Sequence, residues 1–244
     1  MGFESLYRVV QTTTVYLFGV AGLVAIQGVW QFGLQVVIMV GLAMALYGWL
    51  LSGRYGNLQI MLLIGIIIGG GLGAISTFMQ RLLTPSEFNV LAARLFGNVS
   101  NADASYLPLA IPLCIAASAL LWMRSRRLNL LALGPDVSRS LGLDHKRELF
   151  IVLFLVAVLM ATSTALVGPM TFLGFLVATL AYQFADTYDH RLIFPVAVLT
   201  AFTILAGAYF VMKNVFYAQG MVSILIELVG GTVFLIVILR KGRL

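Results

Sequence analysis

The chain has 244 residues, of which 61% are hydrophobic and 10% charged, with a mean hydropathy of +1.03. A soluble globule needs roughly a quarter of its residues charged, so this composition excludes one and leaves a polytopic membrane protein. The formal net charge of +6 would suggest a nucleic-acid partner in a soluble protein, but a basic bias in the inner loops of a membrane protein explains it, and no nucleic acid is implied. The apolar runs have the length of helices rather than the alternating pattern of barrel strands. The expected fold class is therefore all-α, with about eight transmembrane helices. A single cysteine, Cys114, excludes an internal disulfide and lies in an apolar run as a small packing residue. The first polar residues lead directly into a span, so no cleavable signal peptide is expected.

In chain order, the first expected span covers 5–26 and carries a polar patch, Gln11, Thr12, Thr13 and Thr14, that must face protein or a cavity rather than lipid. The second covers 33–51. The third, 57–79, contains Gly65, Gly69 and Gly73 at intervals of four, which places them on one helix face where another backbone can approach or a path can run. Residues 80–105 are too polar to cross; Thr84-Pro85-Ser86-Glu87 opens a short helix there, and Gly97-Asn98 closes it. A fourth span, 106–123, leads into the long polar connection 124–147.

That connection holds Arg124, Arg126, Arg127, Arg139, Lys146 and Arg147, and a short loop so basic stays on the inner side of a membrane. Gly134-Pro135-Asp136 reads as a helix start and Gly142 as its stop. Leu128, Leu130, Leu131, Leu133, Val137 and Leu141 give the short helices apolar faces. Those faces suit a socket on a cytoplasmic partner, and a solvated loop whose charges only fix topology is the alternative. Beyond it come spans at 148–167, 171–184 (after the Gly168-Pro169 break), 192–212 and 221–239. With both ends inside, Arg8, Arg54, the six residues of the connection, Arg191, Arg240, Lys241 and Arg243 lie inside, and Arg81, Arg94 and Lys213 outside. Glu227 is an acid well inside the last span, facing a cavity or fixing the packing of a neighbouring helix. Neither His145 nor His190 has metal-ligand spacing, so no metal site is expected, and no phosphate-binding loop is present, so nucleotide-driven work falls to another chain.

Four stretches carry a family resemblance: ALGPDVSRSLGL (132–143), ALVGPMTFLGFLVATLA (165–181), DHRLIFPVAVL (189–199) and LIELVGGTVFLIVILRK (225–241). They resemble, in order and spacing, the permease subunit of the bacterial iron-chelate and vitamin B12 ABC importers. The resemblance implies a single permease domain over 1–244, in the bacterial inner (plasma) membrane, with no cofactor and no enzymatic activity of its own. It implies that Leu133, Gly134, Pro135, Asp136, Val137, Arg139, Leu141 and Gly142 form the helix that couples to an ATPase subunit. It also implies a periplasmic substrate-binding protein and a second permease copy, identical or related; the outer cations Arg81, Arg94 and Lys213 suit carboxylates of such a binding protein, with interface snorkelling as the alternative for each. Gln11, Thr12, Gly65, Gly69, Gly73, Gly168, Pro169, Phe172, Gly174 and Glu227 would line the path or pack helices. Family members have about ten spans and MGFESLYRVVQ resembles the opening of their third, so the first two are expected to be lacking here. Ala178-Thr179 stands where many relatives carry Pro-His, which tilts the expected cargo toward a ferric siderophore. The alternatives are a vitamin B12 or haem permease, a non-transporting assembly subunit, an intramembrane enzyme and a passive channel. An enzyme would need paired acids, spaced histidines or a Ser/Lys dyad at membrane depth, and the sequence offers none of these.

Overall fold

The computed structural model of the chain describes residues 2–25, 29–52, 58–95, 102, 104–215 and 222–241. Arg54, Arg243 and the expected helix end at Gly97-Asn98 lie outside them. The described residues form α1 (Gly2–Ala25), α2 (Val29–Ser52), α3 (Leu58–Gln80), α4 (Pro85–Leu95) and, after a 3-10 turn at Ala104–Tyr106, α5 (Leu107–Met123). They continue with α6 (Ser125–Ala132), α7 (Pro135–Ser140), α8 (His145–Val167), α9 (Thr171–Ala185), α10 (His190–Asn214) and α11 (Val222–Lys241). No strand occurs among the described residues. This follows from the solvent: in hydrocarbon each backbone N–H and C=O must be satisfied within the segment, and a helix does so.

Among the described residues five stretches are long and apolar enough to cross a membrane: Val29–Trp49, Leu63–Gln80, Ala104–Met123, His145–Val167 and His190–Asn214. The other three expected spans are also helices, and two of them depart from a plain crossing. In α1 the backbone breaks at Gly19 (φ 62°, ψ −175°). Helix α9 has 15 residues, a length of about 22 Å against a ~30 Å core, because Gly168-Pro169 delays its start. Trp30, 90% exposed, and Trp49, 66% exposed, stand near the two ends of α2, about 28 Å apart along its axis, at the spacing of the two membrane interfaces.

Large side chains packed on small ones set the core. Phe32, Val36, Met39 and Ala43 of α2 pack with Ala110 of α5 and Ala157 and Ala161 of α8. Ala117 and Leu121 of α5 meet Leu155 and Val158, nearer the start of α8. On the other side Ala208, Val222 and Ile226 join α10 to α11, with Met170 and Leu173 of α9 against them. Where the chain crosses from α3 to α4, Glu87 accepts the Thr84 backbone N–H at 2.9 Å and the Thr84 hydroxyl at 2.8 Å. These bonds, the backbone one first, hold the Glu87 carboxyl below its usual range. The helix start read from Thr84 to Glu87 therefore forms, with Glu87 reaching back to take both Thr84 donors.

Helices α9 and α11 approach closely at Gly230. A Cβ added at Gly230 would come 2.8 Å from the Phe172 Cβ, a separation that real side chains do not adopt. Gly230→Ala should push α11 off α9 and destabilise the detergent-solubilised protein by roughly 1–3 kcal/mol. Gly231→Ala, with nothing within 4 Å, is the control. Thermal unfolding at equal temperature for both variants would show that α9 and α11 do not touch there.

Candidate functional site

The polar connection between α5 and α8 is built as two short helices set at a fixed angle. Gly134 (φ 93°, ψ 171°) turns the chain out of α6 in a conformation that glycine adopts without strain. Pro135 then occupies the first position of α7, where its missing N–H costs nothing. Asp136 lies in the first turn and Arg139 in the last, each at the end of the helix dipole that favours its charge. At the far end Gly142 (φ 81°) reverses the backbone. Its N–H reaches the Arg139 carbonyl at 2.9 Å, and the Leu143 N–H reaches the Ser138 carbonyl at 3.0 Å. This double bond pattern closes a helix C-terminus and satisfies carbonyls that would otherwise be orphaned.

One face of α7 is pinned and the other is free. Ser138 is fully buried, with its Oγ 2.8 Å from His145 Nδ1 and donating to the Pro135 carbonyl at 3.2 Å. That contact ties α7 to the first turn of α8. Facing away are Leu133 (56% exposed), Val137 (48%) and Leu141 (58%), flanked by exposed Asp136 and Arg139. Leu128, Leu130 and Leu131 of α6 are instead half-buried. An apolar patch rimmed by charge on a short capped helix has the character of a protein-docking surface.

The remaining candidates fall in three places. Thr12 is buried, its Oγ1 3.0 Å from Ser76 Oγ of α3, and Gln80 Nε2 donates to the same Ser76 oxygen at 3.1 Å. Gln11 is buried beside Tyr7, whose hydroxyl donates to the Arg94 carbonyl at 3.2 Å. The polar patch of the first span thus finds partners within this chain. Thr12 and Thr13 meet Ser76 and Met79 near the end of α3, and Arg8 lies about 6 Å along α1 from Thr12 with its side chain exposed. Arg8 pairs with Glu4, whose Oε2 accepts the Thr171 hydroxyl at 2.5 Å, and Glu227 lies close enough to feel both charges. The acid and base of α1 and the acid of α11 therefore gather beside a hydroxyl of α9.

In the second place, α3, Gly69 is buried, but Gly65 and Gly73 have nothing within 4 Å. The close backbone approach expected at those two glycines is not made among the described residues. Gly174 also faces open space, whereas Pro169 is buried and Phe172 packs on Gly230. Gly168 (φ 91°) closes α8, its N–H bonded to the Thr164 carbonyl at 2.9 Å. The third place is the end where α3 and α10 finish. Arg81 and Lys213 are exposed there and Arg94 is half-buried.

A model of the FecCD transport family matches residues 1–240. The chain belongs to that family. It is an integral membrane transport subunit, similar over its whole length to proteins of the same kind. It is 55% identical to the petrobactin import system permease protein FatC of Bacillus anthracis over 244 residues, all of this chain and 69% of FatC. It is 33% identical to the petrobactin import system permease protein YclO of Bacillus subtilis (strain 168), over all of this chain and 77% of that protein. A further petrobactin import permease of Bacillus anthracis, FatD, is 29% identical over 74% of this chain and 53% of FatD. Among solved structures, a metal-chelate type ABC transporter in an inward-facing conformation superposes with a TM-score of 0.83 at 21% identity, covering 98% of this chain and 75% of that one. The all-helical permease fold expected from the sequence is thus confirmed.

Several residues of the site carry no sequence signal of their own. Ser138, Glu148, Asn129 and Asp189 read as ordinary helix-end residues, and their partners lie 7 to 61 positions away. The cap at Gly142 is the local feature that can be tested alone. Gly142→Ala forces a left-handed alanine, at a cost of roughly 1–2 kcal/mol. Hydrogen exchange at the Leu143 amide should speed up about 5–30-fold. An unchanged rate would mean that the helix end is not held by this cap.

Proposed function

We propose that this chain is the permease subunit of an ABC importer that moves a ferric siderophore of the petrobactin class across the bacterial plasma membrane. Residues 1–244 act as one permease domain, with both ends and the 124–147 connection cytoplasmic and the 80–105 segment on the outer face. ATP is hydrolysed on a separate ATPase subunit, against which Leu133, Gly134, Pro135, Asp136, Val137, Arg139, Leu141 and Gly142 dock. The observation that carries this reading is α7 itself, capped at both ends, pinned through Ser138 and presenting Leu133, Val137 and Leu141 outward. The full-length similarity to FatC supports the cargo class.

The other contacts follow the same division of labour. Gly65 and Gly73 leave one side of α3 open to close approach by a second permease. That two petrobactin permeases of one organism, FatC and FatD, both resemble this chain supports a related rather than identical partner. Arg81, Arg94 and Lys213 offer cations to carboxylates of a substrate-binding protein. The Glu4, Arg8, Thr171 and Glu227 group faces the path, where water can reach charges that lipid cannot solvate. Closure of the ATPase subunits would draw the α7 helices together and rock the packed helices as rigid bodies.

The test is made in cells whose only such permease is this one. Replacing Asp136 and Arg139 together should leave the protein inserted but abolish ATP-driven uptake of iron-labelled ferric petrobactin. The unaltered protein should take up that chelate and neither vitamin B12 nor haem. Normal uptake with full ATPase co-purification in the double variant would remove α7 as the contact. Uptake of vitamin B12 or haem in preference to the chelate would remove the cargo assignment.

A further inference from the structure

Helix α6 is held from two sides by side chains that belong to different transmembrane helices. On one side the buried Glu148 carboxylate, in the first turn of α8, takes Arg124 Nη1 on Oε2 at 2.6 Å and Arg127 Nη1 on Oε1. On the other, Asn129 Nδ2 donates to Asp189 Oδ1 at 2.9 Å, and Asn129 Oδ1 accepts the His190 backbone N–H at 3.1 Å. The same Oδ1 lies 2.6 Å from His190 Nδ1, so the ring carries its proton on that nitrogen here. Asp189 caps α10, its Oδ1 also accepting the Arg191 N–H at 3.0 Å. Trp122, at the end of α5, donates to the Arg191 carbonyl at 3.3 Å.

The amide of Asn129 uses both its nitrogen and its oxygen on one joint, and Glu148 uses both of its oxygens on the other. Such bonds to charged groups are the short, directional kind, and a planar guanidinium fixes angle as well as distance. Asn129's hydrogen bond is the foremost reason, with the Arg191 N–H second, that the Asp189 carboxyl sits below the usual carboxylate range. It is therefore ionised, and the joint is closed, at neutral pH.

We propose that α6 is a rigid link, and that Glu148 and Asn129 are the positioning residues that make α7, α8 and α10 move as one body when α7 is pulled. The proposal rests on the reading of α7 as the ATPase contact. A six-residue helix alone cannot transmit displacement to the bundle. Two anchors on opposite sides of α6 remove its freedom to swing, so displacement of α7 has to reach the inner ends of α8 and α10. A single anchor would leave a hinge, and hydrolysis would turn without transport.

The proposal is tested on the assembled complex, with its ATPase subunits and second permease, in proteoliposomes, reading cargo moved per ATP hydrolysed. Asn129→Leu keeps the side-chain volume and removes every bond on the α10 side; Glu148→Gln does the same for the charge on the α8 side. Each should retain bound ATPase yet lose cargo per ATP roughly tenfold or more, the scale of a typical coupling free energy. In a Cys114→Ala background, Asn129→Cys with His190→Cys should be uncoupled when reduced and recover coupling when the two thiols are joined by a short crosslink. Unchanged cargo per ATP in Asn129→Leu and Glu148→Gln would overturn the link. So would a crosslinked protein that still hydrolyses ATP without transport, because a joint that must open during the cycle cannot be a rigid one. These readings are taken in complexes that already hold ATPase. Failure of α7 as the docking helix shows separately, as normal uptake in the Asp136 and Arg139 double variant.

Discussion

A carboxylate gripped by two guanidiniums, Glu148 between Arg124 and Arg127, decides where the polar connection of this chain can sit. Glu148 is buried at the start of α8 while Arg127 remains half in solvent, so the anchor lies at the boundary between packed helices and water. Removing one partner of a buried charge costs far more than an exposed ion pair contributes, so this contact fixes geometry even where its net stabilisation is small. Everything further out depends on it. Helix α6 takes its direction there, Gly134 sets the angle to α7, and Ser138 returns α7 to α8 through His145. The exposed Leu133, Val137 and Leu141 are thereby presented in one orientation.

Within the bundle, shape rather than the hydrophobic effect must hold the helices together, since lipid tails are as apolar as the core. Met39 and Phe32 against the alanines of α8, and Phe172 against Gly230, show this at the level of single contacts. The same logic explains why α3 looks unfinished. Its face toward α1 is closed by Thr12, Ser76 and Gln80, while Gly65, Gly70, Gly71 and Gly73 meet nothing among the described residues. A surface that flat supports the proposal of a second permease against it.

Most of the helix layout was legible in the sequence because it obeys local rules: a run of apolar residues of membrane length, Thr84 with Glu87, Pro135 at a helix start, Gly142 at a helix stop. The ends of α2, α3, α5, α8 and α10 fall within a few residues of where hydropathy puts them. What escaped depends on pairing across distance. Glu148 looks like an acid placed for the helix dipole, and only the fold brings Arg124 to it across 24 positions. Arg8 looks like a lone cation at the start of an apolar run, and only the fold shows it paired with Glu4, whose other oxygen accepts the Thr171 hydroxyl. The polar patch at Gln11 and Thr12 announces that it needs partners without saying which, and α3 supplies Ser76.

The account turns on α7 being the surface that an ATPase subunit covers. Hydrogen exchange over residues 134–143, in the permease alone and in complex with its ATPase subunit, measures that directly. Val137 to Leu141 should become protected on complex formation, while the 80–105 segment, on the opposite end of the helices, should exchange as before. Protection confined to the 80–105 segment, with α7 exchanging at its free rate in the complex, would contradict the account.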